Sequence, residues 1–311
     1  MKHDFYYPSH DGKTIIHAAE WLPKGKPSAI LQLCHGMCEH IGRYDDFASF
    51  LAENGFYVVG NDHLGHGASV ISEEELGYFA EKDGNLCVLK DLHTLRRTTE
   101  RRFPHVPYFI LGHSMGSYLL RQYIARCGKG LTGVIVMGTG SETAASLAAG
   151  KAICRSLASV RGWHFRSKIV DAMVLGEYSK AFSPYRTVGD WLTRDEAIVD
   201  ACMADPLCNY VFTVNGYYNL FLAVEDAQSE PVIAAIPKNL PILIISGEKD
   251  PVGNFGKGVR EVFRTYQTAG IVDLEIKLYE DDRHEILNEL DRDEVYQYLL
   301  RWLMLHLPEQ S

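Results

Sequence analysis

Gly112-His113-Ser114-Met115-Gly116 is the stretch of this chain whose residue types and spacing point most directly to chemistry. A serine with glycine two residues away on each side fits a tight strand-to-helix turn, where side chains at the flanking positions would strike neighbouring backbone. The surroundings supply both elements: the apolar run YFIL at 108–111 precedes it, and the helical text SMGSYLLRQYIA follows. Such a turn presents the hydroxyl as a nucleophile, but a hydroxyl is weak without a base, and the base needs a carboxylate to orient it. In chains built on this turn the acid and the histidine follow the serine in that order. After Ser114 the histidines are His164, His284 and His306, and only His284 comes just past a strand-like run, LEIKLY. Asp250 follows the run PILIIS, and Pro251 fixes the turn behind it. Glu248, two residues earlier, is the alternative carboxylate. Asp281, Asp282 and Glu285 flank His284 and are expected to point away, because nearby acids would keep the histidine charged and unable to accept a proton.

Acyl transfer also requires donors for a developing oxyanion. One is the amide after the nucleophile, Met115. The second should follow the earlier strand AILQLC, where His35-Gly36-Met37-Cys38-Glu39-His40 begins; a sharp turn at Gly36 would aim the Met37 amide inward. Cys34, His35, Cys38 and His40 invite a zinc reading, but no second Cys/His pair completes a tetrahedral set. His63 and His66 stand three apart in a glycine-rich loop without an evident third ligand, and are read as a loop buttressing the site. The sequence therefore predicts no metal and no cofactor.

The elements that must position these residues alternate. Strand-like runs occupy 14–22, 29–34, 56–59, 106–111, 134–137, 241–246 and 274–279, and helical periods occupy 43–54, 86–102, 114–126, 258–269 and 294–305. Alternation implies a largely parallel sheet covered on both faces, an α/β fold. It stops between 140 and 235, where the text is helical and too long for a loop, so the chain reads as a core of 1–139 and 236–311 with an inserted helical cap, or lid, at 140–235. Within it, residues 143–161 form an amphipathic helix, with Lys151, Arg155 and Ser159 on one side and Ala145, Leu147, Ala148, Ala152, Ile153 and Leu157 on the other. The bland reading packs that helix on the core with its basic edge in water. The sharper one is a lid making weak, transient contact with a membrane surface.

Composition excludes several classes. The 311 residues carry 31 basic and 40 acidic side chains, a net charge of −9, which argues against a nucleic-acid binder. No run approaches the length of a membrane span. The start, MKHDFY, lacks a signal-peptide core, and the seven scattered cysteines (Cys34, Cys38, Cys87, Cys127, Cys154, Cys202, Cys208) read as free thiols, so a cytoplasmic location is expected. Oligomeric state leaves no mark in the sequence.

The segments HGMCEHIGRY, DHLGHGAS, GHSMGS, WLTRDEAIVDACMADPLC, SGEKDPVG and RHEILNE together resemble the α/β-hydrolase superfamily. More narrowly, they are similar to bacterial lysophospholipase and monoacylglycerol lipase-like serine hydrolases, grouped with the serine aminopeptidase S33 set. The resemblance runs over about 7–305. It implies an α/β-hydrolase fold with an eight-stranded, mostly parallel sheet, helices on both faces, and a helical cap inserted after the sixth strand. It implies hydrolysis of small-molecule acyl esters without a metal, with Ser114, Asp250 and His284 as triad and Met37 and Met115 as oxyanion amides. A proline-type aminopeptidase of the same superfamily is the competing enzyme reading; it needs cap carboxylates for the substrate ammonium, for which Glu142, Glu177 and Asp190 are available. A non-catalytic binding protein is the remaining alternative, against which the complete triad argues. One departure stands out: Asp281-Asp282-Arg283 occupies the place where the family often has a glycine before the histidine.

Overall fold

The structure, a computed structural model, describes residues 1–308; residues 309–311 of the expected core lie outside the described residues. Along the chain run β1 (Lys2–Pro8), β2 (Ile15–Trp21), β3 (Ala29–Cys34), α1 (Asp45–Glu53), β4 (Phe56–Asn61), α2 (Gly84–Arg102), β5 (Tyr108–His113), α3 (Met115–Cys127) and β6 (Gly133–Met137). Then come α4 (Ala144–Arg161), α5 (Lys168–Leu175), α6 (Glu196–Ala204), α7 (Val214–Ala227) and α8 (Glu230–Ala235). The chain closes with β7 (Ile242–Gly247), α9 (Lys257–Thr268), β8 (Leu274–Tyr279) and α10 (Arg292–Leu305).

The strands form one eight-stranded sheet in the order β1-β2-β4-β3-β5-β6-β7-β8. β2 pairs antiparallel with β1 and with β4, and all pairs from β4 to β8 are parallel. The central strands β3, β4, β5, β6 and β7 are buried on both faces, which is why they read as continuous apolar runs. Their side chains divide between two cores. Ile30, Ile110, Val134 and Ile244 pack under the face that carries α2, α3 and α9. Leu31, Leu33, Phe109, Leu111 and Ile245 pack under the face that carries α1 and α10.

β1 is the strand that the residue pattern did not disclose. KHDFYYP is polar and mostly exposed, and it sits at the sheet edge, where burial does not impose an apolar alternation. It is held by an antiparallel register from Lys2 opposite Trp21 to Pro8 opposite Ile15.

Five helices separate β6 from β7. α4 lies along α7, and α7 packs in turn on α2 and α3. Asn215 and Asn219 dock α7: Asn215 accepts from the Phe79 amide (3.0 Å) and donates to the Ala80 carbonyl (2.8 Å), while Asn219 accepts from the Asn85 amide (2.8 Å). The basic edge expected of α4 keeps Arg155 and Ser159 exposed, while its two basic side chains also reach α7: Lys151, half-buried, pairs with Glu225, and Arg155 donates to the Tyr218 hydroxyl (2.5 Å). The packed stripe of α4 is Leu147, Gly150 and Cys154, whereas Ala145, Ala148, Ala152 and Ile153 face outward.

Candidate active site

Parallel strands bring their carboxyl ends to one edge of a sheet, and that edge is where open α/β folds present reactive side chains. Ser114 follows β5, Asp250 follows β7 and His284 follows β8. Ser114 has φ 53° and ψ −121°, a conformation that costs a non-glycine residue energy and that only surrounding structure can impose. Its amide donates to the Met137 carbonyl (3.0 Å), and its own carbonyl accepts from the Ser117 amide (2.8 Å) and hydroxyl (2.6 Å). Gly116 shows why the motif needs glycine: a Cβ there would lie 2.0 Å from the Cys34 carbonyl oxygen, because β3 ends against the start of α3.

Asp250 and His284 meet 34 residues apart in sequence, with Nδ1 of the ring 2.9 Å from Oδ2 of the carboxylate. Both side chains are buried. Asp250 is itself fixed, since Oδ1 accepts from the Val252 amide (2.8 Å) and Oδ2 from the Ser246 hydroxyl (3.3 Å). Glu248, the alternative carboxylate, turns to solvent and pairs with Arg260 at 2.6 Å. Among the described residues nothing is hydrogen-bonded to Nε2 of His284, and His284 lines the same cavity as Ser114.

Met37 and Met115 also line that cavity. Met115 is the first residue of α3, so no intrahelical carbonyl takes its amide. The Met37 amide meets no acceptor among the described residues. Gly36 is glycine for a different reason than a sharp turn: its φ is not left-handed, but a Cβ would sit 3.0 Å from Cβ of Ser114 and 2.6 Å from Glu39 Oε1. The loop is braced from below by the histidine-rich segment. The His63 amide donates to His35 Nε2 (2.9 Å), His63 Nε2 lies 3.0 Å from the His35 carbonyl, and Asp62 accepts from the Ile41 amide (2.7 Å).

The acids beside His284 point away from it, as expected. Asp282 pairs with Arg194 at 2.5 Å, and burial together with Glu289 and Asp291 pushes its carboxyl up to about 7. Glu285 makes a two-point ion pair with Arg43 (2.5 and 2.7 Å). Arg283, in place of a small residue, lies over the Phe182 ring, and Trp191 packs on the His284 ring at 5.0 Å. The loop departure is thus absorbed by the segment before α6.

A buried group of charges behind the site escaped sequence reasoning. Glu39 Oε1 accepts from the Gly36 amide, from Tyr44 Oη (3.1 Å) and from His113 Nδ1 (3.1 Å), while His113 Nε2 faces the His284 carbonyl (3.3 Å). Burial alone would neutralise Glu39, but His113 and Arg43 outweigh it and hold the carboxyl well below its usual range. His113 is raised in turn: burial disfavours its charge, and the Glu39 contact overrides that. Glu39 thereby fixes both the loop before Met37 and, through His113, the backbone of His284. If the Met37 amide serves as an oxyanion donor, Glu39→Gln should lower kcat by about ten- to a hundredfold with KM little changed, because it loosens the loop and the His284 backbone rather than a substrate contact. Steady-state kinetics check this; a change confined to KM would contradict it. The only sequence signal was the HGMCEHIGRY segment, whose Glu39 and Arg43 carried no assigned role.

The cavity above these residues measures about 790 Å³ and is walled largely by apolar side chains, among them Leu147, Val174, Leu175, Trp191, Leu220 and Phe221. Of the three carboxylates considered for an ammonium site, Glu142 lines it, Glu177 pairs with Lys180 (2.6 Å), and Asp190 accepts from Thr187 and from the Arg186 amide. They form no cluster. Cys34 contacts His63 and the Gly116 carbonyl, Cys38 the Tyr210 carbonyl, and His35 the Gly36 carbonyl, so the local cysteine-histidine set does not converge. No helix among the described residues is long and apolar enough to cross a membrane.

Residues 25–291 match the family described as serine aminopeptidase, S33. A monoacylglycerol lipase of Mycolicibacterium smegmatis is 27% identical over 92% of this chain and 92% of its own length. A monoglyceride lipase of Rattus norvegicus is 27% identical over 87% of this chain and 80% of its own. Among solved structures, a thermostable carboxyl esterase from Bacillus coagulans in complex with glycerol superposes with a TM-score of 0.92 at 29% identity, covering 99% of each chain.

Proposed function

The chain belongs to the serine aminopeptidase S33 family, with the α/β-hydrolase fold, and we propose that it is a serine hydrolase cleaving medium-to-long acyl esters such as monoacylglycerols or lysophospholipids. The observation that carries this reading is the Asp250–His284 pair opening, beside the strained Ser114, onto a large apolar cavity. A cavity of this size accommodates a ligand larger than a short ester, and its apolar wall suits an acyl tail.

In the proposed reaction His284 Nε2 takes the Ser114 proton as Oγ adds to the ester carbonyl. Asp250 holds the Nδ1–H tautomer and offsets the imidazolium charge. The Met37 and Met115 amides receive the developing oxyanion. Collapse breaks the ester C–O bond, and the alcohol leaves with the proton from His284. Water, deprotonated by the same nitrogen, then releases the acid and restores Ser114. Residues 140–235 act as a cap over this site. Their outward apolar side chains, Val160 (80% exposed) and Ile169 (75% exposed) in particular, support a weak, transient contact with a lipid surface. The unbridged cysteines suit a reducing, cytoplasmic compartment.

Relative kcat/KM for p-nitrophenyl esters should rise with acyl length, and prolyl-naphthylamide should be turned over at least about a thousandfold more slowly, since no carboxylate cluster receives an ammonium. Val160→Ser with Ile169→Ser should lower hydrolysis of a vesicle-borne long-chain ester and spare a short soluble one. Preference for the prolyl substrate would replace the ester reading by a peptidase one.

A further inference from the structure

Tertiary packing assembles a second set of metal-type donors from residues that the sequence keeps apart. His40 lies on the loop after β3, and Asp205 and Cys208 lie just past α6. His40 Nε2 is 3.0 Å from Asp205 Oδ2, and Cys208 Sγ is 3.6 Å from the same oxygen. One donor atom from each of the three falls within 4.8 Å of the others. We propose that His40, Asp205 and Cys208 form a binding site for a soft divalent cation of the zinc class.

Zinc bonds of about 2.0–2.3 Å in a tetrahedron place neighbouring donors about 3.3–3.7 Å apart; the two separations to Asp205, 3.0 and 3.6 Å, lie within a few tenths of an ångström of that range, and the third, below 4.8 Å, closes to it by a side-chain adjustment. The donor types suit zinc: one imidazole, one carboxylate and one thiol. Cys208 is buried, whereas the side chains of His40 and Asp205 keep 22% and 31% of their exposure, which leaves the ion a route in from solvent. The fourth position falls to water.

The proton balance is explicit. Cys208 now donates to Asp205 Oδ2, and its proton passes to solvent when sulfur coordinates. His40 Nδ1 now accepts from the Gly42 amide at 3.2 Å. Coordination through Nε2 moves the ring proton to Nδ1 and gives that bond up. Binding therefore tightens as pH rises. Asp205 is already disposed to the charged state: burial opposes it, and the Leu207 amide and His40 more than compensate. The bound ion would tie the loop that carries Met37 to the segment after α6. The other acidic group, Asp282, Glu289 and Asp291, is no rival, because the Arg194 guanidinium already occupies it.

The test is a titration of the chelator-treated full chain with Co²⁺, followed by displacement with Zn²⁺. One equivalent of Co²⁺ should produce a thiolate-to-metal absorption band that Zn²⁺ abolishes. Cys208→Ser should lose the band, and both Cys208→Ser and Asp205→Asn should weaken zinc binding by at least about tenfold by calorimetry. Cys34→Ser should retain both. Metal-free melting curves for each variant, with His40→Gln as an independent ligand deletion, separate loss of a ligand from loss of fold. A band that survives in Cys208→Ser, or the lack of any band in the wild-type chain, overturns the proposal.

Discussion

Ser114→Ala is expected to lower kcat on an acyl ester by about three to six orders of magnitude while leaving the melting temperature nearly unchanged. The loss is large because the proposed covalent step has no substitute nucleophile on the cavity wall at that turn. The fold should persist because the side chain of Ser114 makes no hydrogen bond among the described residues; the turn is held by its backbone, through Met137 and Ser117. Labelling by a fluorophosphonate probe should vanish in the same variant. The carboxylate is tested by a pair. Asp250→Asn should cost a comparable factor, because an amide oriented by the Val252 N–H presents the wrong hydrogen-bond sense to Nδ1 of His284. Glu248→Gln should be close to wild type, since that side chain only meets Arg260 at the surface. Full esterase activity in Ser114→Ala would remove the proposed chemistry altogether.

Much of this site was legible because it depends on local rules. The elbow needs small residues at 112 and 116, and parallel strands deliver residues that follow them to a common edge. Ser114, Asp250 and His284 could therefore be named as candidates from the strand ends, with Glu248 left as an alternative to Asp250. The bracing groups obey no such rule. Glu39 meets His113 across 74 residues, and Arg43 meets Glu285 across 242; a charged residue in text reads as solvated until packing buries it. His40 and Asp205, 165 residues apart, escaped for the same reason. The edge strand β1 escaped for the opposite one, since little of it is buried and its pattern carries no period. Which of α4's apolar residues pack was not legible, because small alanines do not distinguish an inward from an outward face. Leu147, Gly150 and Cys154 are what pack, with Gly150 admitting the Phe221 ring.

Stability should fall as pH drops from about 6.5 toward 4.5. His35, His63 and His66 are wholly buried around the loop that carries the Met37 amide. Burial depresses all three, with mutual repulsion added for His63 and His66, and His66 is pushed down to about 3. The bonds agree with neutral rings: His35 Nδ1 faces the Gly36 carbonyl while its Nε2 accepts from the His63 amide, leaving no position for a second proton. In the unfolded chain each imidazole titrates near 6.5, so below that value the unfolded state holds up to three more protons than the native one. Each unmatched proton is worth about 1.4 kcal/mol per pH unit; Asp282, raised to about 7, and Asp91, raised to about 6, take up protons in the native state over the same range and offset part of the histidine term, so the net slope is smaller than three protons would give. His17 and His113 are raised instead; their contribution is complete below 6.5 and fades only as pH rises, so they do not offset the acid slope. Glu39 and Asp62, both lowered, add loss of the same sign once pH reaches the carboxylate range. Urea midpoints measured across this window should therefore fall toward acid. His66→Phe, which keeps an aromatic ring among Phe79, Tyr210 and Phe212, should reduce the slope by about 1.4 kcal/mol per pH unit, one proton's worth, whatever it does to stability at neutral pH. A slope unchanged by that substitution would mean that the three rings are not the groups taking up protons on unfolding.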